Sequence, residues 1–188
     1  CEQSVHKALP IWSHMANENW CMIGYHSVSV LADAVAKGLP LDKEEVLKAM
    51  VSSSTIPYLD GTGEYMEKGY VALDHNGSAA SLTLEYAYDD WTIYHTALLA
   101  GNRSVADTYK KRAANYTNVF DTNMGYARPR YADGRWKENF NLLNTHGEGF
   151  IEGNALNYSF YVPQDVDNMI CLMGGDKSFV SKLDSLFT

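Results

Sequence analysis

The chain is 188 residues long, 46% hydrophobic and 20% charged, the balance of a globular protein with a real core and not of a disordered segment. Its formal net charge of −8 leaves no basic surplus, which argues against nucleic acid as the main partner and against docking on an anionic membrane. No apolar run reaches the roughly 18 residues that a membrane-crossing helix needs, so no membrane span is predicted.

Taken in chain order, the pattern is helical nearly throughout. The first residue is Cys1 rather than Met and no signal peptide is visible, so the sequence reads as a processed protein or an excised piece. Residues 20–37 (WCMIGYHSVSVLADAVAK) predict an apolar helix, closed by Gly38 with Pro40 just beyond. Glu18 lies at its start, where the helix dipole favours a carboxylate. Asp42, with Glu45 three residues on, reads as a capping box for a short helix to about Val51. Residues 52–77 carry Asp60-Gly61, Gly63 and Asn76-Gly77 and read as a loop. Ser78 to Leu99 is the strongest helix, ended by Gly101, and a second helix follows near Ser104 to Phe120. Residues 121–148, with Pro129, Asp133-Gly134 and Gly147, have no clear period. Helices resume at about 153–161, 166–173 and 177–187, separated by Pro163 and by Gly174-Gly175.

One stretch echoes another. LLAGNRSVADTYKKR at 98–112 resembles LMGGDKSFVSKLDSL at 172–186: helix end, Gly, a polar cap, then a new helix. Helix hairpins that recur in this way suit a toroid of paired helices or a solenoid, with the long loops gathered at one end. The fold class expected is therefore all-α.

The three cysteines, Cys1, Cys21 and Cys171, form no CxxC or Cys/His pattern for zinc and allow at most one internal disulfide. Asn76, Asn102, Asn115 and Asn157 match the N-glycosylation pattern, which matters only in a eukaryotic secretory setting. Thirteen Tyr and 4 Trp offer flat faces of the kind that stack on sugar rings, although most such rings pack in cores. No GxSxG elbow, Walker loop, dinucleotide fingerprint or calcium EF-hand loop is present.

Two constellations carry chemistry. In LEYAYDDW, within the strongest helix, Glu85 and Asp89 share a face at i, i+4 while Asp90 points away. Like charges at that spacing ask for a cation, a metal or a hydroxyl-rich ligand, or else mark a solvated face; Tyr86, Tyr88 and Trp91 surround them. His26, on an otherwise apolar helix, reads either as a satisfied core histidine or as a ligand. Arg128, Pro129 and Arg130, with Tyr126 and Trp136, either line a cleft or buttress their loop.

The second constellation is GFIEGNALNYSFYVPQD at 149–165. Glu152 lies between two glycines in an apolar surround of Phe150, Tyr158, Phe160 and Tyr161. Burial there would keep the carboxyl protonated near neutral pH, as in a catalytic general acid. A helix-start cap is the competing reading.

Five segments, in order along nearly the whole chain, resemble glycoside hydrolase family 92, the calcium-dependent exo-acting α-mannosidases. They are LPIWSHMANENWCMIGYHSVSVLADAVAKG, GSAASLTLEYAYDDW, YKKRAANYTNVFDTNMGYARPRYADGRW, GFIEGNALNYSFYVPQDV and LMGGDKSFVSKLDSLF. The resemblance implies part of an (α/α)6 helical toroid and hydrolysis of α-mannosidic linkages in glycans with inversion. It makes Glu152, in the EGNA motif, the general acid, and points to Asn154, Asp89, Asp90, Trp91, Glu18 and His26 as substrate-binding residues. Calcium is implied as cofactor by the resemblance alone, with no ligands assigned, and a periplasmic or extracellular location by the substrate class.

An inverting mechanism needs a second carboxylate to activate water. In the family that base comes from a motif beyond the EGNA signature, which places it outside this chain, as is the amino-terminal β-sandwich domain. The chain therefore reads as a fragment of one catalytic domain, whose partner is the remainder of the parent chain. Leu156, Asn157 and Gln164 stand where the family has Trp, Gln and His. Those changes keep open a catalytically degenerate carbohydrate-binding homologue. Another (α/α)6 sugar enzyme, with Asp89 or Asp90 as base within the chain, also stays open.

Overall fold

The computed structural model describes residues 25–187 of the chain. Helix α1 spans Ser27–Ala36, α2 Lys43–Ser53, α3 Thr62–Lys68, α4 Ala79–Leu99 and α5 Arg103–Arg112. A 3₁₀ turn at Asn115–Val119 leads into a two-stranded antiparallel ribbon, β1 (Phe120–Asp121) with β2 (Tyr126–Ala127). Three short helices complete the order: α6 (Ala155–Tyr158), α7 (Val166–Leu172) and α8 (Asp176–Asp184). The all-α expectation is met, with the small ribbon as its exception.

Helix α4 organises everything else. Most of its positions are buried, the polar Ser81, Thr83, Glu85, Asp89, Asp90, Thr92 and Thr96 among them, so it is enclosed by other elements nearly all round and its polar groups must find partners within the fold. Ala79, Leu82, Tyr86, Ile93 and Ala97 face a core shared with α1, α2, α3 and α5. Ala80, Leu84 and Ala87 face a second core with Tyr116, Val119, Phe120, Phe150, Val162 and Met169. One helix thus divides two cores, and α5 folds back along it as an αα-hairpin.

The hairpin turn repeats the chemistry of the sequence echo. Gly101 and Gly174 both take left-handed φ, 74° and 99°, after the last turns of α4 and α7. Each turn returns paired N–H groups to the helix: Gly101 to Leu98 O and Asn102 to Ala97 O, Gly174 to Cys171 O and Gly175 to Ile170 O. The echo is incomplete at the next position. The side chain of Asn102 accepts from Val105 N, whereas α8 has no side-chain cap.

Three boundaries and one cap differ from expectation. The segment read as a loop over 52–77 contains α3, because Gly61 and Gly69 bound it rather than break it, and Tyr65 buries its ring. The helix expected to Phe120 stops at Arg112. Its continuation, Asn115 to Asn118, is made of weak helix formers, and Asn118 donates instead to Gly69 O at 3.0 Å. The helix over 153–161 shortens to α6. The Asp42 box is half formed: Asp42 accepts from Glu44 N and Glu45 N, but Glu45 turns outward to Lys48. The beginning of the helix expected at 20–37, together with Cys1, Glu18 and Cys21, lies outside the described residues; Cys171 is free and exposed.

Candidate functional site

The Glu152 loop is fastened to the first turn of α4. The N–H groups that open a helix lack intrahelical acceptors. Ser78 supplies no side-chain cap; instead Gly149 O accepts from Ala80 N at 2.9 Å and Ser81 N at 3.2 Å. Ser81 Oγ then accepts from Ile151 N at 3.1 Å. Position 149 must be glycine: φ is +82°, and a Cβ would stand 2.8 Å from that of Pro129. Beyond the loop, Asn154 caps α6. Its side chain accepts from Asn157 N, and Asn157 Oδ1 accepts from Asn154 N at 2.8 Å.

Glu152 itself corrects one expectation. Its side chain is exposed, not walled by rings. Phe150 packs on Tyr158 and Phe140, and Tyr158 on Tyr161, with ring centroids 5.7–6.5 Å apart, so these rings cover one another. The reason lies in the backbone. Glu152 has φ of +52°, a left-handed conformation that costs a residue with a Cβ about 1–3 kcal/mol and that clusters at functional sites. That conformation accompanies an outward side chain while the preceding residue, Ile151, stays bonded to Ser81.

The Glu85–Asp89 pair has a partner that the local sequence hides. His26 Nε2 lies 2.9 Å from Glu85 Oε2, and its Nδ1 lies 2.6 Å from Asp89 Oδ1. His26 occupies the N-cap position of α1 without capping it, which leaves the ring to lie across two turns of α4. Burial disfavours charge on the imidazole, but Asp89 and Glu85 together outweigh it and push the group up to about 10. His26 is thus an imidazolium donating from both nitrogens. Asp89 Oδ2 is buried with no hydrogen-bond partner among the described residues, and burial pushes the Asp89 carboxyl up to about 6 although His26 opposes the shift. Tyr158 Oη donates to Glu85 Oε1 at 3.3 Å, joining this cluster to the Glu152 loop.

A group whose folded pKa lies above its unfolded value stabilises fully below the unfolded pKa and loses that contribution as pH rises to the folded one. For His26 the window runs from about 6.5 to about 10. The unfolding midpoint is expected to fall across it, and the His26 ring proton shift in NMR to stay flat to about pH 9. A ring titrating near 6.5 would show that the clamp does not exist.

The other candidate residues go elsewhere. Asp90 is fully buried and faces away from the Glu152 loop, with Tyr25, Tyr65 and Arg112 donating to its two oxygens. Trp91 stacks on Tyr88 and meets His95 edge-on, in a groove between α1 and α4. It lies ten residues along α4 from Ser81, about 15 Å of rise, and so does not join Glu152. Asn154 adjoins Glu152 but spends its side chain on the cap. Arg128 and Arg130 buttress their loop, the first on Asp121 and Lys137 O, the second on Gly134 O and the Trp136 ring. A buried pair in the same region, Lys137–Glu148 at 3.1 Å, carries no sequence signal beyond the glycines that flank Glu148.

Calcium takes about 6–8 oxygen ligands. Among the described residues no group of three or more His, Cys, Asp or Glu side chains is placed to hold a metal ion. The nearest approach to one, Glu85 with Asp89, already holds a cation in His26. These residues do not fit a calcium site by themselves.

The chain matches the family model described as the glycosyl hydrolase family 92 catalytic domain over residues 2–188. It is 38% identical to the family 92 α-mannosidase BT3965 of Bacteroides thetaiotaomicron, with a TM-score of 0.85 over 90% of this chain and 22% of that one. A second structure of BT3965 holds mannoimidazole. The inverting mannosidase BT2199 of the same organism is 34% identical, with a TM-score of 0.81 over 88% of this chain and 23% of its own. An uncharacterized secreted glycosidase of Arthroderma benhamiae is 26% identical over 87% of this chain and 26% of its own length. The chain thus spans about a quarter of the length of these relatives.

Proposed function

The chain belongs to glycosyl hydrolase family 92, and from that membership we propose that it supplies the general acid of an inverting exo-α-mannosidase. The observation that carries the reading is Glu152: a solvent-facing carboxylate held in left-handed backbone by a loop bonded to α4. As the acid, its protonated carboxyl gives its proton to the glycosidic oxygen as the bond to the anomeric carbon breaks. A base on the opposite face of the sugar takes a proton from the attacking water, at a carboxyl separation of about 6.5–9.5 Å.

The base lies outside this chain. Glu85, Asp89, Asp90 and Glu148 are each engaged by His26, Arg112 or Lys137, which leaves them poorly suited to receive a proton from water. The substrate is a mannose-containing glycan, a reading supported by relatives that are α-mannosidases, one of them binding mannoimidazole. Of the residues expected to bind substrate, His26 and Asn154 are engaged within the chain, the first by Glu85 and Asp89 and the second by the α6 cap, and Glu18 lies outside the described residues. Asp89, Asp90 and Trp91 act in support of the helix. If calcium takes part, a carboxylate-rich ligand set is not supplied by the described residues alone. The location is periplasmic or extracellular, in keeping with the secreted relative; no described helix is long and apolar enough to cross a membrane.

Proton NMR of a fresh α-mannoside digest by the full-length protein tests the reading. The β-anomer of mannose is expected first, and early α-anomer would refute inversion. The isolated 188-residue chain, with an acid and no base, is expected to leave an aryl α-mannoside intact. Turnover by it that disappears with Glu152→Gln would place the base inside the chain after all.

A further inference from the structure

Resting on the acid role of Glu152, we propose that Ser81 is its positioning residue, acting through the backbone of the loop. Ser81 lies in the first turn of α4 and is fully buried. It grips the loop at two points. Its N–H donates to Gly149 O at 3.2 Å, and its Oγ accepts from Ile151 N at 3.1 Å. The second point is the amide of the residue that directly precedes Glu152. The serine proton has the Tyr158 oxygen as acceptor, and Tyr158 Oη donates onward to Glu85 Oε1 at 3.3 Å. The hydroxyl is thus itself held in place from behind.

Two properties of Glu152 make that grip matter for the chemistry. Its side chain is exposed, so what aims the carboxyl is the backbone that carries it. That backbone has φ of +52°, a conformation that persists only where the surroundings over-determine it. The surroundings here are two anchors. Downstream, Asn157 Oδ1 accepts from Asn154 N at 2.8 Å. Upstream, the anchor is Ser81 Oγ. The bond to Gly149 O does not replace it, because two residues then separate the last tie from the acid. Without the oxygen, the strained residue is free to relax and to swing its carboxyl away from the glycosidic oxygen. A misplacement of about 1 Å can cost on the order of a hundredfold in rate.

Ser81→Ala in the full-length protein removes the oxygen and keeps the N–H that bonds Gly149 O, and the unfolding midpoint verifies that the fold survives. Hydrogen–deuterium exchange of the peptide 149–158 is expected to speed up. With a poor leaving group, kcat is expected to fall about tenfold to a hundredfold with KM nearly unchanged. With an activated dinitrophenyl leaving group, which needs little protonation, the loss is expected to shrink. Added to Glu152→Gln, Ser81→Ala is expected to lower kcat little further, since the serine acts through the acid alone. A Ser81→Ala enzyme with wild-type kcat and leaving-group dependence would overturn the proposal. So would an undiminished loss on top of Glu152→Gln, the mark of a general structural effect. If Glu152→Gln itself keeps the wild-type leaving-group dependence, it is the acid assignment that has failed.

Discussion

Glu152→Gln is expected to lower kcat of the full-length protein on an unactivated α-mannoside by about two to four orders of magnitude, the usual worth of a positioned general acid. Gln matches Glu in shape, so the left-handed loop and its bonds to Ala80, Ser81 and Ile151 are retained. What it lacks is a transferable proton. The loss is therefore expected in kcat rather than KM, since the proton is needed only as the bond breaks. It is also expected to depend on the leaving group. A dinitrophenolate leaves without protonation and should recover most of the rate, whereas a sugar alcohol should not. Equal losses on both substrates would point to a positional role for Glu152 and sink its assignment as acid.

The largest effect on stability belongs to a residue remote from the chemistry. Arg112→Met is expected to cost about 3–5 kcal/mol in urea unfolding, because it leaves the fully buried Asp90 carboxyl without its cation, in surroundings that already oppose its ionisation. Arg112 Nε lies 2.9 Å from Asp90 Oδ2, and Nη2 reaches Tyr25 Oη and Ser54 O, both at 3.1 Å. The guanidinium also lies over the rings of Tyr65 and Tyr109, at 5.4 and 4.8 Å. This knot ties Tyr25, the end of α2, α3, α4 and α5 together. Its cost is conditional on the remaining charge. The double variant with Asp90→Asn is expected to be more stable than Arg112→Met alone. If the single variant lost less than about 1 kcal/mol, the knot would have no structural weight.

The two adjacent acidic residues of LEYAYDDW show how far the local pattern carries. Their spacing correctly separates Asp89 from Asp90 onto different faces of the helix. It does not reveal that one face meets an imidazolium and the other a guanidinium. His26 lies 63 residues from Asp89 in sequence, and Arg112 lies 22 from Asp90. No Lys or Arg lies beside Glu85 in the sequence; the cation arrives from the start of another helix, as His26. The appearance of a ligand site there was a packing contact seen from one side only.

The loop at 149–154 shows the opposite imbalance. Its importance was legible from composition and resemblance, but the reason first assigned to it, burial among rings, was not the one the structure uses. Aromatic residues close in sequence need not surround what lies between them. Phe150, Tyr158 and Tyr161 take one another as partners, and a single positive φ carries Glu152 out of their company.

Features set by hydrogen bonding within a few residues and by apolar periodicity are legible in the chain alone. The major helix and its stop at Gly101, the polar cap at Asn102, the Pro163 and Gly174 breaks and the all-α class belong here, and the ordered motifs identify the family; that Asn154, and not Glu152, caps the short helix after the loop is a finding of the structure. Which charges meet, and which carboxylates remain available, follows from the packing of the folded chain. Burial of Asp89 and Asp90, exposure of Glu152 and the bridge through Tyr158 result from packing between helices distant in the chain. Electrostatic and solvation energies depend on that spatial environment, and no local spacing encodes it.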